Sequence, residues 1–238
     1  MEDNYYIRHK KRLMKIFRRL IKSNRAVFDN YYENDITIDL INKIDAEYEA
    51  LIPQIPYIGG KDNYMTDFLI SSAQMLSVII VLENKGESKE KIGKIIYDIM
   101  EHYINSFNRL FLFIARFVFF SKRNIKKLRK ASMKSKEKNY SFDWVFDLVD
   151  GQGNDFTYGY KQYECGIYKF YKKLGYEKYA PYLCLLDYPK YKALKIRLDR
   201  TKTIANGADL CDFKFFKTGD PIEGWPPEKL TEFKIKQI

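Results

Sequence analysis

The sequence predicts an α+β fold, in which a helical N-terminal half is packed with a C-terminal α+β half that contains a small antiparallel sheet. Apolar residues recur at helical spacing through the first half of the chain. The pattern changes after Tyr140, where apolar residues between Phe142 and Leu148 alternate as in a strand and turn-forming residues follow. We therefore expect a helical region over residues 1–139 and an α+β region over residues 140–238, together forming one compact unit.

The composition indicates a globular protein with a substantial core. The 238 residues are 46% hydrophobic and 16% aromatic, which excludes a disordered chain. No basic and apolar signal segment precedes the three cysteines, and three cysteines cannot all pair with one another. We therefore expect free thiols and a cytoplasmic location.

Positive charge is concentrated in two segments of the chain. Of the net charge of +11, residues 1–28 carry +7 and residues 121–139 carry +8, which leaves −4 for the remainder. Residues 5–28 have the spacing of a cationic amphipathic helix, whose basic face is either solvated or in contact with anionic lipid. The second segment has no aromatic residues among its charges, so we expect no nucleic-acid partner.

Two apolar stretches of the helical half raise the question of a membrane span. Tyr64–Leu82 is interrupted by serine and glutamine, which favours a buried core helix. Helical periodicity also runs from Ile92 to Phe120, and Arg109, Arg116 and Arg123 recur every seven residues on one face. An arginine within a bilayer costs about 2.5 kcal/mol or more. We therefore predict no integral membrane segment, and a helix whose aromatic side packs into the core while its arginines face water or acidic partners.

The C-terminal half is predicted to contain two short helices and further strands. The helices are expected at about Tyr160–Leu174 and Tyr176–Leu186. Two strands are expected on either side of a turn at Asn206-Gly207, and residues 150–155 have the composition of a turn.

Common catalytic arrangements are absent from the sequence. Its two histidines, His9 and His102, both lie in the helical half, which disfavours a histidine-based triad. There is no glycine-rich phosphate loop, and the cysteine spacing is not that of a zinc finger, so we predict neither a cofactor nor a metal. Ten tyrosines between Tyr158 and Tyr191 either line a pocket for a small planar ligand or line the edges of the core.

Four motifs follow one another in the C-terminal half. They are YECGIYKFY at Tyr163–Tyr171, LCLLD at Leu183–Asp187, LDRTKTIANG at Leu198–Gly207, and CDFKF at Cys211–Phe215. In this order and spacing they resemble the L-2-amino-thiazoline-4-carboxylic acid hydrolase family over roughly residues 140–217. Lys214 stands where the family's ending has arginine, which keeps the charge but loses the two-pronged grip on a carboxylate.

The resemblance implies a hydrolase acting on a small-molecule substrate, and it points to eight positions. These are Cys165, Cys184, Asp187, Arg200, Thr203, Gly207, Cys211 and Asp212. We expect the three thiols to converge on one region of the structure. On chemical grounds, the carboxylates suit proton transfer during water addition to an amidine-like ring carbon, and a thiolate is an alternative nucleophile.

Each candidate also has a structural interpretation. Buried, unreactive cysteine is common, so Cys165, Cys184 and Cys211 are either catalytic or part of the core. Arg200 is expected either to hold a substrate carboxylate or to pair with Asp187 or Asp212.

Besides Arg200, three residues are predicted to bind substrate, and only Tyr163 is new among them. They are Tyr163, Thr203 and Gly207, although a turn that needs positive φ is the simpler role for Gly207. For the whole protein, the alternatives to a hydrolase are a small-molecule sensor and a membrane-surface adaptor that uses the two cationic segments.

Overall fold

The computed structural model describes residues 5–151 and 156–233, in two compact units, Met1–Tyr103 and Ile104–Ile238. The predicted helical region 1–139 therefore covers the first unit and the first helices of the second. The turn predicted at residues 150–155 lies largely outside the described residues. Each unit is described by itself.

The first unit is built from helices. They are α1 (Tyr5–Arg8), α2 (Lys10–Ser23), α3 (Arg25–Asp29), α4 (Asn34–Leu51), α5 (Thr66–Asn84) and α6 (Lys89–Asn105), the last of which ends just past the boundary. The basic N-terminal segment is helical, as its periodicity predicts. On α2 the apolar residues Leu13, Phe17 and Ile21 are buried, while most of its lysines and arginines are exposed.

Helix α5 forms the centre of the first unit, as predicted for a core helix. Leu69, Leu76 and Ile79 are fully buried, and α5 packs along α4. By length and composition alone α5 is able to cross a membrane, but 72% of its most apolar window is buried inside the protein. Burial on all sides explains its nearly continuous apolar sequence.

The second unit begins with two helices, α7 (Arg109–Phe119) and α8 (Lys122–Ser135). The prediction of one continuous helical pattern from Ile92 to Phe120 is wrong, because the helix is interrupted between the end of α6 and the start of α7. There the Oδ1 atom of Asn108 accepts a hydrogen bond of 2.7 Å from the amide of Phe111, which caps α7.

The predicted orientation of the aromatic run is also wrong. No residue of α7 is fully buried, and most of its apolar side chains are exposed rather than packed in the core, Phe119 at its end being the clearest exception. Arg116 instead turns towards the protein, where its guanidinium donates hydrogen bonds to the carbonyl oxygens of Leu194, at 3.2 Å, and Lys217. These two carbonyl acceptors favour the orientation in which the Arg116 side of α7 faces the protein.

The sheet has four strands, β1 (Val145–Asp150), β2 (Tyr158–Glu164), β3 (Arg197–Asp199) and β4 (Cys211–Phe216). Their order is β1-β2-β4-β3, and each neighbouring pair is antiparallel. The predicted α+β class with a small antiparallel sheet is confirmed. The predicted helix Tyr160–Leu174 is wrong at its start, because β2 occupies that part of the chain.

Three short helices complete the second unit: α9 (Gly166–Lys173), α10 (Ala180–Leu185) and α11 (Asp187–Ala193). Its core is aromatic. The rings of Tyr160 and Phe213 stack across β2 and β4 with centroids 4.2 Å apart, and Phe215 contacts Tyr158, Tyr160 and Tyr191. Several of the clustered tyrosines therefore belong to the core.

Candidate active site

The three thiols come together in the second unit. Cys165 lies between β2 and α9, Cys184 lies in α10, and Cys211 is the first residue of β4. Each thiol is free and lies close enough to the other two for the ionisation of one to raise the pKa of the others. The predicted convergence is therefore observed, and we call Cys165, Cys184 and Cys211 the three-thiol cluster.

Cys211 is the buried member of the cluster. Its sulfur accepts a hydrogen bond from the amide of Ile204 at 3.3 Å and a longer one from Nε2 of Gln162 at 3.6 Å. Burial raises the pKa of the Cys211 thiol to about 12, with smaller effects from its neighbours. A thiol so placed is protonated at neutral pH and has satisfied contacts with the protein.

Cys165 and Cys184 are partly exposed as residues, but their thiol groups are buried and are protonated as well. Burial raises the pKa of the Cys184 thiol well above its usual value, while the Arg200 cation acts in the opposite direction. Burial also raises the pKa of the Cys165 thiol. Hydrogen bonds from the backbone amides of Tyr168 and Ile167, at the start of α9, lower it by less. A protonated thiol is a poor nucleophile.

Gly166 allows the chain to pass close to Trp144 immediately after Cys165. A Cβ atom at this position would lie 2.5 Å from the carbonyl oxygen of Phe142 and 2.6 Å from the Trp144 ring. Distances this short exclude a side chain unless the backbone or the ring moves. The absence of a side chain at Gly166 thus allows the backbone next to Cys165 to pack directly against Trp144.

Arg200 is a buried charge beside the three-thiol cluster. Its Nε and Nη2 atoms donate to both carboxylate oxygens of Glu232, the Nη2 contact being 2.9 Å long. Its Nη2 atom also donates to the carbonyl oxygen of Cys184 at 2.8 Å, and its Nη1 atom to Oδ2 of Asp187 at 2.8 Å. Four of the five guanidinium N–H groups are therefore used within the protein.

These contacts favour the internal ion pair over the substrate clamp that the sequence also suggested for Arg200. The observed partners are Asp187 and Glu232, and Asp212 is not among them. The guanidinium also lies over the rings of Phe213 and Tyr188, at 4.7 and 5.6 Å from their centroids. The acidic partners raise the pKa of Arg200 against the opposing effect of burial, so Arg200 is permanently charged.

Glu232 was not predicted from the sequence. Its side chain is 0% exposed, and it also hydrogen-bonds Tyr188, whose pKa burial raises. It lies outside the four motifs, in a short segment without periodicity. A lone carboxylate near the end of a sequence gives no sign of burial.

Asp187 is the acidic residue at the edge of this buried network. Arg200 holds its Oδ2 atom, but 28% of its side chain is exposed. Asp187 interacts electrostatically with the Cys165 thiol and with Lys190, whose own pKa burial lowers. Asp187 is therefore a carboxylate of fixed orientation, open to solvent, and next to the three-thiol cluster.

Asp212 is held in a different environment. Its Oδ1 atom accepts hydrogen bonds from the amides of Thr201 and Lys202 at 2.9 and 2.7 Å, and its Oδ2 atom accepts one from the Thr201 hydroxyl at 2.6 Å. Side chains alternate along β4, so Asp212 points away from the face that carries Cys211. Asp212 therefore lies on the other face of β4 from the three-thiol cluster. Its carboxylate is hydrogen-bonded to Thr201 and Lys202, which lie in a loop.

The three residues assigned to substrate binding have local contacts within the protein. The Thr203 hydroxyl accepts hydrogen bonds from the amide and side chain of Asn206. Gly207 adopts φ of +91° at the end of a short helical turn, in agreement with the turn interpretation. The exposed hydroxyl of Tyr163 donates to Asp147 at 3.3 Å, and its neighbour Gln162, rather than Tyr163 itself, contacts Cys211.

The described residues include no group of three histidine, cysteine or acidic side chains arranged to hold a metal ion. His9 and His102 both belong to the first unit, where they contact Tyr5 and Asn24 respectively. Around Arg200 the second unit brings together the thiol cluster and the carboxylates of Asp187 and Glu232.

Comparison with known proteins identifies one family. A family model described as L-2-amino-thiazoline-4-carboxylic acid hydrolase matches residues 68–215. No curated protein and no solved structure matches the chain. The matched range includes Asp187, Arg200 and the three-thiol cluster, and it extends well into the helical half of the chain.

Proposed function

Because the chain belongs to the L-2-amino-thiazoline-4-carboxylic acid hydrolase family, we propose that it is a hydrolase that opens a thiazoline-type or related small heterocyclic ring. The proposed substrate resembles L-2-amino-thiazoline-4-carboxylate, and the proposed location is the cytoplasm. Three free thiols suit a reducing compartment.

The proposed reaction is the addition of water to the ring carbon that is bonded to both nitrogen and sulfur. A bond forms between the water oxygen and this carbon, and the bond from the carbon to the ring sulfur breaks. On water addition the carbon–nitrogen double bond of the ring becomes single and the ring nitrogen takes one of the two water protons. The carbonyl group then forms as the sulfur leaves with the other proton, so the product is an open carbamoyl-cysteine-type thiol. The ring carbon becomes a better electrophile when the ring nitrogen is protonated, and a carboxylate can stabilise that cation.

The position of Asp187 is the observation that carries this proposal. Its Oδ2 atom is fixed by Arg200, and part of its side chain remains open to solvent beside Cys165. In the proposed mechanism Asp187 accepts a proton from the attacking water and holds the protonated ring. Arg200 orients Asp187 rather than the substrate, because Glu232 and Cys184 already occupy most of its donors.

The protonation of the thiols favours water over a thiolate as the attacking group. The pKa values of all three thiols are raised, chiefly by burial. We therefore assign Cys165 and Cys184 to the wall of the site, and Cys211 to the core behind it. Polarizable thiols are suitable neighbours for a ring that contains sulfur.

Ring opening of 2-amino-thiazoline-4-carboxylate and close analogues, followed by product mass, tests the proposal. The wild-type protein should turn over at least one of them, and Asp187→Asn should lower kcat about 10²-fold or more, because general acid/base catalysis contributes that much. Asp209→Asn is the matched control, since Asp209 is an exposed aspartate in the loop before β4. Binding of the analogues without turnover by the wild-type protein would instead identify a sensor.

A further inference from the structure

Helix α7 presents an apolar surface to solvent. Its exposed apolar side chains, with exposed fractions from 50% to 76%, are Leu110, Phe111, Phe113, Ile114, Phe117 and Val118. Leu110, Phe113, Ile114 and Phe117 have the spacing of one helix face. Contiguous exposed apolar residues of this kind mark an interaction surface. We call these six residues the α7 apolar face.

Contacts on the opposite side of α7 keep this face turned outward. Arg116 is bound to the carbonyl oxygens of Leu194 and Lys217. The Phe119 ring packs against Tyr158, Tyr191 and Phe215 in the core of the second unit. Rotation of α7 to bury its apolar face would break all of these contacts.

The helix that follows carries a high density of positive charge. Residues 102–136 contain no aspartate or glutamate, and two residues separate the end of α7 from the start of α8. Six exposed cations of α8 have no ion-pair partner within the described part of the chain: Lys122, Arg123, Lys126, Lys127, Lys130 and Lys134. Arg129, by contrast, pairs with Asp150.

We propose that α7 and α8 bind the surface of an anionic phospholipid bilayer. The α7 apolar face enters the boundary between headgroups and acyl chains, and the α8 cations contact lipid phosphates. An apolar helix face next to unpaired lysines and arginines is the combination that such interfaces attract. With 11 residues, α7 is too short to span a bilayer, which needs about 20.

Charge disfavours a second copy of the chain as the occupant of this surface. A symmetric dimer formed through α7 would use the same surface on both copies, and each copy carries the cations of α8 beside that surface. The α8 cations of the two copies would then repel, whereas an anionic bilayer attracts all of them.

Sedimentation with vesicles of phosphatidylcholine, with and without 30 mol% phosphatidylglycerol, tests the proposal for the full chain. We expect binding to the anionic vesicles at low salt, with much weaker binding at high salt and to phosphatidylcholine alone, because salt screens surface charge. No binding of the wild-type protein to anionic vesicles at low salt would overturn the proposal.

Two variants separate the contributions of the two helices. Phe113→Ser with Phe117→Ser should weaken partitioning at least about tenfold, from the apolar area lost. Lys126→Gln with Lys127→Gln and Lys130→Gln should weaken it about a hundredfold at low salt, from three cations near the surface. Circular dichroism checks that each variant is folded, and a folded variant that binds as the wild type does would overturn the proposal.

A matched charge control lies on α2 of the first unit. Lys11→Gln with Arg12→Gln and Lys15→Gln removes the same charge from exposed positions, and it should weaken binding far less than the α8 variant. Equal losses would show attraction to net charge alone, against the proposal. A stable dimer in light scattering that is abolished by Phe113→Ser with Phe117→Ser would also overturn it.

Discussion

Arg200 and Glu232, 32 positions apart in the chain, form a two-pronged ion pair in which the two side chains are 1% and 0% exposed. The pair connects the last described segment of the chain, which contains Glu232, to Arg200, and Arg200 in turn orients Asp187. The candidate site therefore depends on a residue outside the four sequence motifs.

Removal of Glu232 should be strongly destabilising. Glu232→Ala leaves Arg200 buried with only Asp187 as an acidic partner, and breaking such a pair costs about 3–5 kcal/mol. Urea unfolding followed by tryptophan fluorescence measures the loss in the second unit, because Trp144 and Trp225 both lie there. Arg129→Ala, which removes an exposed pair with Asp150, should cost much less. Similar losses for the two variants would contradict a stabilising role for the buried pair.

Replacement of Asp212 should affect stability more than catalysis. Asp212→Ala removes the acceptor of three hydrogen bonds from Thr201 and Lys202, so we expect a loss of about 1–3 kcal/mol in unfolding free energy. The folded variant should retain turnover within about tenfold, well above the level expected of Asp187→Asn. A loss of turnover of about 10²-fold in the folded Asp212→Ala variant would instead assign proton transfer to Asp212, which the sequence also suggested.

The stability of the second unit should fall in alkaline solution. A raised thiol pKa in the folded state stabilises the protein at pH values below the unfolded pKa, which is about 9 for cysteine. This stabilisation is lost as the pH rises from there towards the folded value of about 12 for Cys211. Cys211→Ala should therefore reduce the slope of unfolding free energy against pH above pH 9, and an unchanged slope would contradict the burial effect.

Cys165 provides the test of the attacking group. If water attacks the ring, Cys165→Ser should retain turnover within about tenfold, and no covalent adduct should appear by mass spectrometry after acid quenching. A loss of about 10²-fold together with an adduct on Cys165 in the wild-type protein would show thiolate attack. Cys184→Ser is the matched control, because Cys184 is the other member of the cluster that is partly exposed as a residue.

The fold class was predictable from the sequence because it depends on local patterns. Helical periodicity identified α2 and α5, and alternation identified β1 and β4. Periodicity placed Arg109 and Arg116 on one face but did not decide whether that face turns inward. For Arg116 the decision depends on carbonyl oxygens of Leu194 and Lys217, far away in the sequence.

The candidate site was predictable in part for the same reason. The motifs indicated the thiols, Asp187 and Arg200, and the structure places these residues together. The partners of each residue were not predictable, since Glu232 has no motif and the contacts of Asp212 arise from the path of the loop at Thr201. Local sequence patterns identify candidate residues for the site, but tertiary contacts determine the hydrogen-bond and ion-pair partners of each one.

The close approach at Gly166 limits how far relatives of this protein can diverge in sequence. A methyl group there would meet both the carbonyl oxygen of Phe142 and the Trp144 ring. A smaller residue at 144 relieves only one of these two clashes, so a change at 166 also requires a new backbone path near 142. We therefore expect relatives that keep a cysteine at 165 to keep glycine at 166, and those that lose the glycine to differ in the entire segment before β1.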